Sequence, residues 1–278
     1  PADRLDQGRR GGRRMSAEPR IVTHRDAGVL ARAVAARLIT SLVDGQAARG
    51  EASVVLTGGG IGIALLRAVR TSPAADAVDW SRVDVWWGDE RFVAPDSADR
   101  NDRQAREALL DHLPLDPKRV FPMGHLAALR AGGDVEDGGT SGGYADAESA
   151  AAEYAALLAG RAAPGAAVPV FDVVLLGLGP DGHVASLFPD LPGVVATEPV
   201  IAVHNSPKPP PERVSLTLPT IQSTREAWVI AAGEEKAGAV AASFSGAGPL
   251  SVPATGAVGR ERTLWLIDRA AAARLPAT

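Results

Sequence analysis

Apolar positions along this chain alternate between two rhythms. In the first, which begins at Arg25, Leu30, Val34 and Leu38 lie on one stripe with Ile39 and Leu42 beside them. That spacing predicts a helix stopping before Gly45. In the second, short unbroken apolar runs are bounded by glycine and polar residues. Residues 52–56 form such a run and predict a strand, which enters Thr57-Gly58-Gly59-Gly60 ahead of a helical stretch at 61–69. Residues 83–87 predict another strand, ending at Gly88-Asp89-Glu90-Arg91, with a helix near 104–113. A Gly- and Asp-rich loop occupies 131–143, and an Ala-rich helix is expected at 145–158. Residues 171–176 carry the clearest signal of a buried strand, and they run into Gly177-Leu178-Gly179-Pro180-Asp181-Gly182-His183. The prolines of 207–211 make a rigid, extended segment. Strands are expected at 213–218, 228–232 and 264–267, with a helix at 234–244.

Strands alternating with helices predict an α/β fold, with a largely parallel sheet flanked by helices in a Rossmann-like arrangement. No internal repeat or linker divides residues 15–278, which read as a single domain. Residues 1–14 carry Arg9, Arg10, Arg13 and Arg14 without apolar periodicity. They read as a flexible basic extension, or a leader ahead of a start at Met15, in preference to an arm for nucleic acid. Ligands of open parallel sheets bind beyond the carboxyl ends of the strands. Three polar, glycine-rich segments stand at such ends here, after Leu56, Trp87 and Leu176.

Composition narrows the chemistry. The 278 residues are 46% hydrophobic and 22% charged with a net charge of -4, so no global field draws the chain to nucleic acid or anionic membrane. An anionic ligand must be held by local donors. With no cysteine, there is no disulfide, thiolate metal site or cysteine nucleophile. No apolar run approaches the roughly 20 residues of a membrane span, and no signal peptide is visible, which makes a cytoplasmic enzyme the expectation.

The Thr57-Gly58-Gly59-Gly60 loop leads from a strand into a helix, where bare backbone N–H groups and the helix dipole suit a phosphate. It lacks the Lys-Ser/Thr end of a Walker loop and has Ile63 where a dinucleotide fingerprint wants its third glycine; a purely structural turn is the competing reading. Asp89 can accept sugar hydroxyls and Arg91 can fork onto an anion, against the plainer reading of a solvated ion pair. In Asp181-Gly182-His183, the histidine is suited to move a proton near neutral pH and the aspartate to orient its ring. His24, His112, His125 and His204 have no such setting and read as structural or exposed. Neither a metal-ligand cluster nor a G-x-S-x-G elbow accompanies His183, which favours direct attack by water over metal chemistry or a Ser186 nucleophile. Lys208, Arg213 and Lys236 supply local positive charge in an acidic chain.

Taken in order, these motifs resemble the glucosamine-6-phosphate isomerase/6-phosphogluconolactonase family. The resemblance rests on the Gly58–Gly60 loop, the Gly88-Asp89-Glu90-Arg91 turn and the run from Leu175 through His183 to Pro189. It continues through Ser206-Pro207-Lys208-Pro209-Pro210-Pro211-Glu212-Arg213 and Gly233-Glu234-Glu235-Lys236-Ala237. The deaminases of the family continue after the histidine with an Ala-Phe-Asn-Glu type segment. Here Ala185 is followed by Ser186-Leu187-Phe188, without that glutamate, so the chain is similar to the lactonases. The chain departs from them at Gly60, where a serine is usual, and at Arg100-Asn101, where Ser-Asn is common.

The resemblance implies hydrolysis of 6-phospho-D-glucono-1,5-lactone to 6-phospho-D-gluconate in the oxidative pentose phosphate pathway, with no cofactor and no metal. It implies His183 as the base that activates water and Asp181 as its orienting partner. Arg213, Lys236 and the Thr57–Gly60 loop would hold phosphate, with Asp89, Arg91 and Lys208 as further substrate-binding residues. Oxyanion donors would be backbone N–H groups near Gly179 or an arginine. The small lactone is then the partner, in a monomer or a weak dimer. A sugar-phosphate isomerase or deaminase is the first alternative. A non-catalytic sensor is the second, against which the intact Asp181 and His183 count.

Overall fold

The computed structural model describes residues 18–127 and 142–276. The basic extension at 1–14 and most of the Gly-rich loop at 131–143 lie outside them. The centre is a six-stranded sheet in the order β1-β11-β10-β7-β2-β3, with every neighbouring pair parallel. Its strands are β1 (Arg20–His24), β2 (Ala52–Leu56), β3 (Val83–Trp87), β7 (Val173–Gly177), β10 (Glu226–Ala231) and β11 (Arg262–Asp268). The expected parallel α/β architecture is therefore present.

The central strand β7 reads Val-Val-Leu-Leu, continuously apolar, because both of its faces are covered. On the helical side, α1 (Ala27–Arg49) buries Leu30, Val34, Leu38 and Leu42, and α2 (Gly59–Arg70) buries Leu65, Leu66 and Val69. Asp26 starts α1 by accepting the N–H of Val29 at 2.8 Å. The helix does not stop at Gly45, which is buried within it, but continues to Arg49 and ends at Gly50.

A second, antiparallel sheet in the order β4-β9-β8 stands over the carboxyl end of the first. It is formed by β4 (Asp89–Arg91), β8 (Val200–Val203) and β9 (Arg213–Leu216). Between its strands lie α3 (Asn101–Ala108), a short parallel pair of β5 (His125–Leu126) with β6 (Gly143–Tyr144), and α4 (Ala147–Gly160). β9 ends two residues before Leu218, which begins the one-turn helix α5 (Leu218–Ile221) instead of extending the strand. The helix expected at 234–244 divides into a 3₁₀ turn at Glu234–Lys236 and α6 (Ala237–Ser243). No helix among the described residues is long and apolar enough to cross a membrane.

The chain runs from β2 outward to β3, then crosses back to place β7 on the other side of β2. The crevice between the carboxyl ends of β2 and β7 is thus a topological switch point, where such sheets bind ligands.

Candidate active site

A cavity of about 160 Å³ opens at this switch point. Its walls bring together Thr57, Gly58 and Gly59 after β2, Asp89 and Arg91 on β4, His183 after β7, and Lys208, Arg213 and Lys236. Gly60 lines an adjoining cavity that shares Gly58, Gly59 and Lys236. Asp181 does not line the central cavity and reaches it through His183. The three strand-end loops singled out in the sequence do converge.

His183 and Asp181 are directly paired, with Nδ1 2.5 Å from the Asp181 Oδ1. A carboxylate beside Nδ1 assigns the proton to that nitrogen and leaves Nε2 as the proton acceptor. The turn closes tightly around Gly179, where a Cβ would lie 2.0 Å from the His183 Nδ1. Phe188 packs against the imidazole with ring centroids 4.5 Å apart. Burial alone would raise the Asp181 carboxyl. The hydrogen bond from His183, with the charges of His183 and Lys208, outweighs it and holds the group well below the usual carboxylate range. Lys208 stands beside this pair, its Nζ 3.6 Å from Asp181 and 3.3 Å from the His183 Nδ1. Burial lowers the Lys208 ammonium, as do Lys236 and Arg213, against the opposing pull of Asp181.

Arg213 is 4% exposed and most of its donors are occupied. Its Nε donates to Pro210 O at 3.1 Å, and Nη2 to Lys208 O and Pro209 O at 2.9 and 3.2 Å. The guanidinium thereby fastens the proline-rich segment that carries Lys208, and its remaining nitrogen, Nη1, lies 3.9 Å from Asp89. Burial lowers the Arg213 guanidinium, partly offset by Asp89. Asp89 in turn accepts the Ser186 hydroxyl on Oδ2 at 2.7 Å, which leaves Oδ1 for another donor. Arg91 donates to Asp99 O at 2.5 Å. Lys236 makes no salt bridge among the described residues.

The glycine loop has two parts. Thr57 uses its Oγ1 to accept the Gly177 N–H at 3.2 Å, tying β2 to β7. The N-terminus of α2 carries no side-chain cap, so its first N–H groups face the cavities unoccupied. Of the oxyanion donors expected, backbone N–H groups near Gly179 or an arginine, the Gly179 N–H is spent on His183 O at 2.9 Å and the Leu178 N–H on Ile230 O at 3.2 Å.

Two residues outside the sequence assignment also shape the site. Glu90 has no solvent exposure and accepts the backbone N–H groups of Arg91, Asn101 and Asp102 at 2.8, 2.7 and 2.9 Å. Asn101 lines the cavity and donates from Nδ2 to Asp89 O at 2.8 Å. Arg100, which departs from the family's usual serine, is 1% exposed and donates to Met123 O at 2.8 Å. It supports the neighbouring loop and does not enter the cavity. Of the other histidines, His204 is surface-exposed and bridges Glu148 and Glu212 at 2.6 and 2.5 Å.

A larger cavity of about 480 Å³ lies at the opposite, amino end of the sheet. Three of its four arginines pair with carboxylates, Arg49 and Arg225 with Asp172, Arg225 also with Glu261, and Arg262 with Glu226; Arg37 and Asp44 bring the lining to four cations and four carboxylates. Size favours it, but of these two cavities only the smaller has a proton-transfer pair beside its cations. No group of three or more His, Asp or Glu able to hold a metal ion occurs among the described residues.

Fold and site together define a class, an α/β protein with an Asp–His pair and converging cations at the switch point of a parallel sheet. The family described as glucosamine-6-phosphate isomerases/6-phosphogluconolactonase matches residues 25–265. A 6-phosphogluconolactonase of Streptomyces coelicolor is 58% identical, the alignment covering 94% of this chain and 97% of that protein. One of Mycobacterium tuberculosis is 50% identical over 90% of this chain and 96% of its own length. The solved structure of a 6-phosphogluconolactonase from Trypanosoma brucei superposes with a TM-score of 0.75 at 29% identity, covering 93% of this chain and 99% of that one. A monomeric glucosamine-6-phosphate deaminase, 17% identical, shares the fold with a TM-score of 0.72. The chain belongs to the glucosamine-6-phosphate isomerase/6-phosphogluconolactonase family, as an enzyme of its hydrolase branch.

Proposed function

We propose that this enzyme hydrolyses 6-phospho-D-glucono-1,5-lactone to 6-phospho-D-gluconate, with His183 as general base. The observation that carries this reading is the Asp181–His183 pair at the wall of a cavity that also holds Lys208, Arg213 and Lys236. The Nε2 of His183 takes a proton from water as the oxygen attacks the lactone carbonyl, and Asp181 stabilises the imidazolium. The tetrahedral oxyanion is met by cationic donors, of which Lys208 stands nearest the pair and Arg91 lines the same wall. Collapse breaks the bond to the ring oxygen, and His183 returns its proton there. The phosphate is held by Lys236, the Nη1 of Arg213 and the uncapped N–H groups of α2. No cofactor enters this chemistry.

The deaminase alternative requires an acid shortly after the histidine. Ser186 occupies that stretch, buried, and gives its hydroxyl to Asp89. His183→Ala should lower turnover by about 10²–10⁴ while the protein folds normally and still binds 6-phosphogluconate. The assay is lactone disappearance near neutral pH, corrected for spontaneous ring opening. Near-native turnover after that correction would exclude His183 as the base.

A further inference from the structure

Asn101 opens α3 and is 2% exposed, and the Asp89 carbonyl sets the orientation of its amide. Its backbone N–H donates to Glu90, and its Nδ2 donates to the Asp89 carbonyl at 2.8 Å. The Oδ1 at the other end of the amide is buried and accepts nothing. A buried acceptor without a donor is uncommon in folded proteins, because its desolvation is not repaid. The residue lines the same cavity as His183, Arg91 and Lys208, and its Oδ1 lies against the bare face of Gly58. A Cβ at Gly58 would stand 1.9 Å from that oxygen, so the glycine is what admits the amide.

The chemistry of the unsatisfied atom selects its partner. Oδ1 is an acceptor only. The ionised phosphate and the lactone carbonyl of the substrate proposed above carry no proton to donate. The donors such a substrate brings are its ring hydroxyls. We infer that Asn101 is a specificity-determining residue whose Oδ1 accepts a hydrogen bond from one secondary hydroxyl of the bound sugar lactone. The inference rests on the lactonase reading and adds to it the means by which a hydroxylated ring is chosen. A site built to hydrogen-bond a substrate hydroxyl discriminates against an analogue that lacks it, since its own polar atom is again left unpaired.

The test compares kcat/KM for the 6-phosphorylated δ-lactone with its 2-, 3- and 4-deoxy analogues, using the full chain and Asn101→Ala. The wild type should lose about tenfold or more on one analogue. Asn101→Ala should lose a similar factor on the parent lactone and nothing further on that analogue. Asn101→Ser, which keeps a helix-start residue but cannot reach as far, carries the same expectation if the alanine variant does not fold. Deoxy penalties unchanged from wild type in a folded variant would overturn the inference. That includes the case where turnover falls equally on all four lactones, which a structural role or a contact to the attacking water would produce. Absence of turnover by the wild type itself would overturn the lactonase reading and this inference together.

Discussion

Glu90 packs a carboxyl where no solvent reaches, in the turn that also carries Asp89 and Arg91. Burial pushes it up to about 7, against Arg100 and the three backbone N–H groups that favour the charged form. Because the folded-state value lies above the ordinary 4.5, folding takes up a proton between the two. The associated stability is complete below about 4.5 and is lost as pH rises through about 7. Glu90→Gln removes this titration, and its amide meets the Asp102 N–H donor to donor, which costs roughly 1–3 kcal/mol. The variant should be less stable than wild type at pH 5, with the gap narrowing toward pH 8. Urea denaturation at the two pH values measures it, and a constant gap would show that Glu90 does not titrate in this range. Sequence alone brought out Asp181 and His183 because their partnership is local, two residues apart. Glu90 and Asn101 join at a separation of eleven positions, and an acid in a polar turn gives no sign that it is buried. The one available signal was the Arg100-Asn101 pair, whose asparagine follows the family pattern where its neighbour does not.

Several segments owe their shape to contacts that periodicity does not report. β1 has mixed exposure on an edge of the sheet, and β4 is three polar residues, so neither has the apolar run that marks β7. β8 is short and half-buried, and among the described residues it pairs only with β9. Conversely, the glycine at position 45 reads as a stop, yet tertiary packing carries α1 past it. The proline-rich segment before β9 was legible as rigid, but its fastening by Arg213 was not. This separates two cations that the sequence treats alike. Lys236→Ala should weaken binding of the phosphorylated lactone by roughly 1.5–3 kcal/mol, the value of a charge-assisted contact, and barely touch an unphosphorylated gluconolactone if that is turned over. Arg213→Lys cannot reproduce the fork onto three carbonyls. It should lower the melting temperature and affect both substrates. Equal losses on both substrates with Lys236→Ala would remove the phosphate assignment.

Across the whole molecule, the two ends of the parallel sheet carry opposite kinds of charge network. At the carboxyl end the cations Lys208 and Lys236 are left without a full complement of carboxylates, which suits them to an anionic ligand. At the amino end Asp172, 6% exposed just before β7, is saturated. It accepts the Ser53 N–H at 2.8 Å, pairs with Arg49 of α1, and lies 3.4 Å from Arg225 ahead of β10. One carboxylate therefore joins β2, β7, α1 and the entry to β10, on the far side of the sheet from His183. Its partners Arg49 and Arg225 are each about a third exposed, so screening keeps the ion pairs modest and the less exposed Ser53 bond matters more. Asp172→Ala should cost about 1–3 kcal/mol of stability by urea unfolding. The kcat and KM for the phosphorylated lactone should be unchanged at temperatures where the variant stays folded. A fall in kcat without loss of structure would mean that the amino end of the sheet communicates with the site, and that the division of labour between the two ends does not hold.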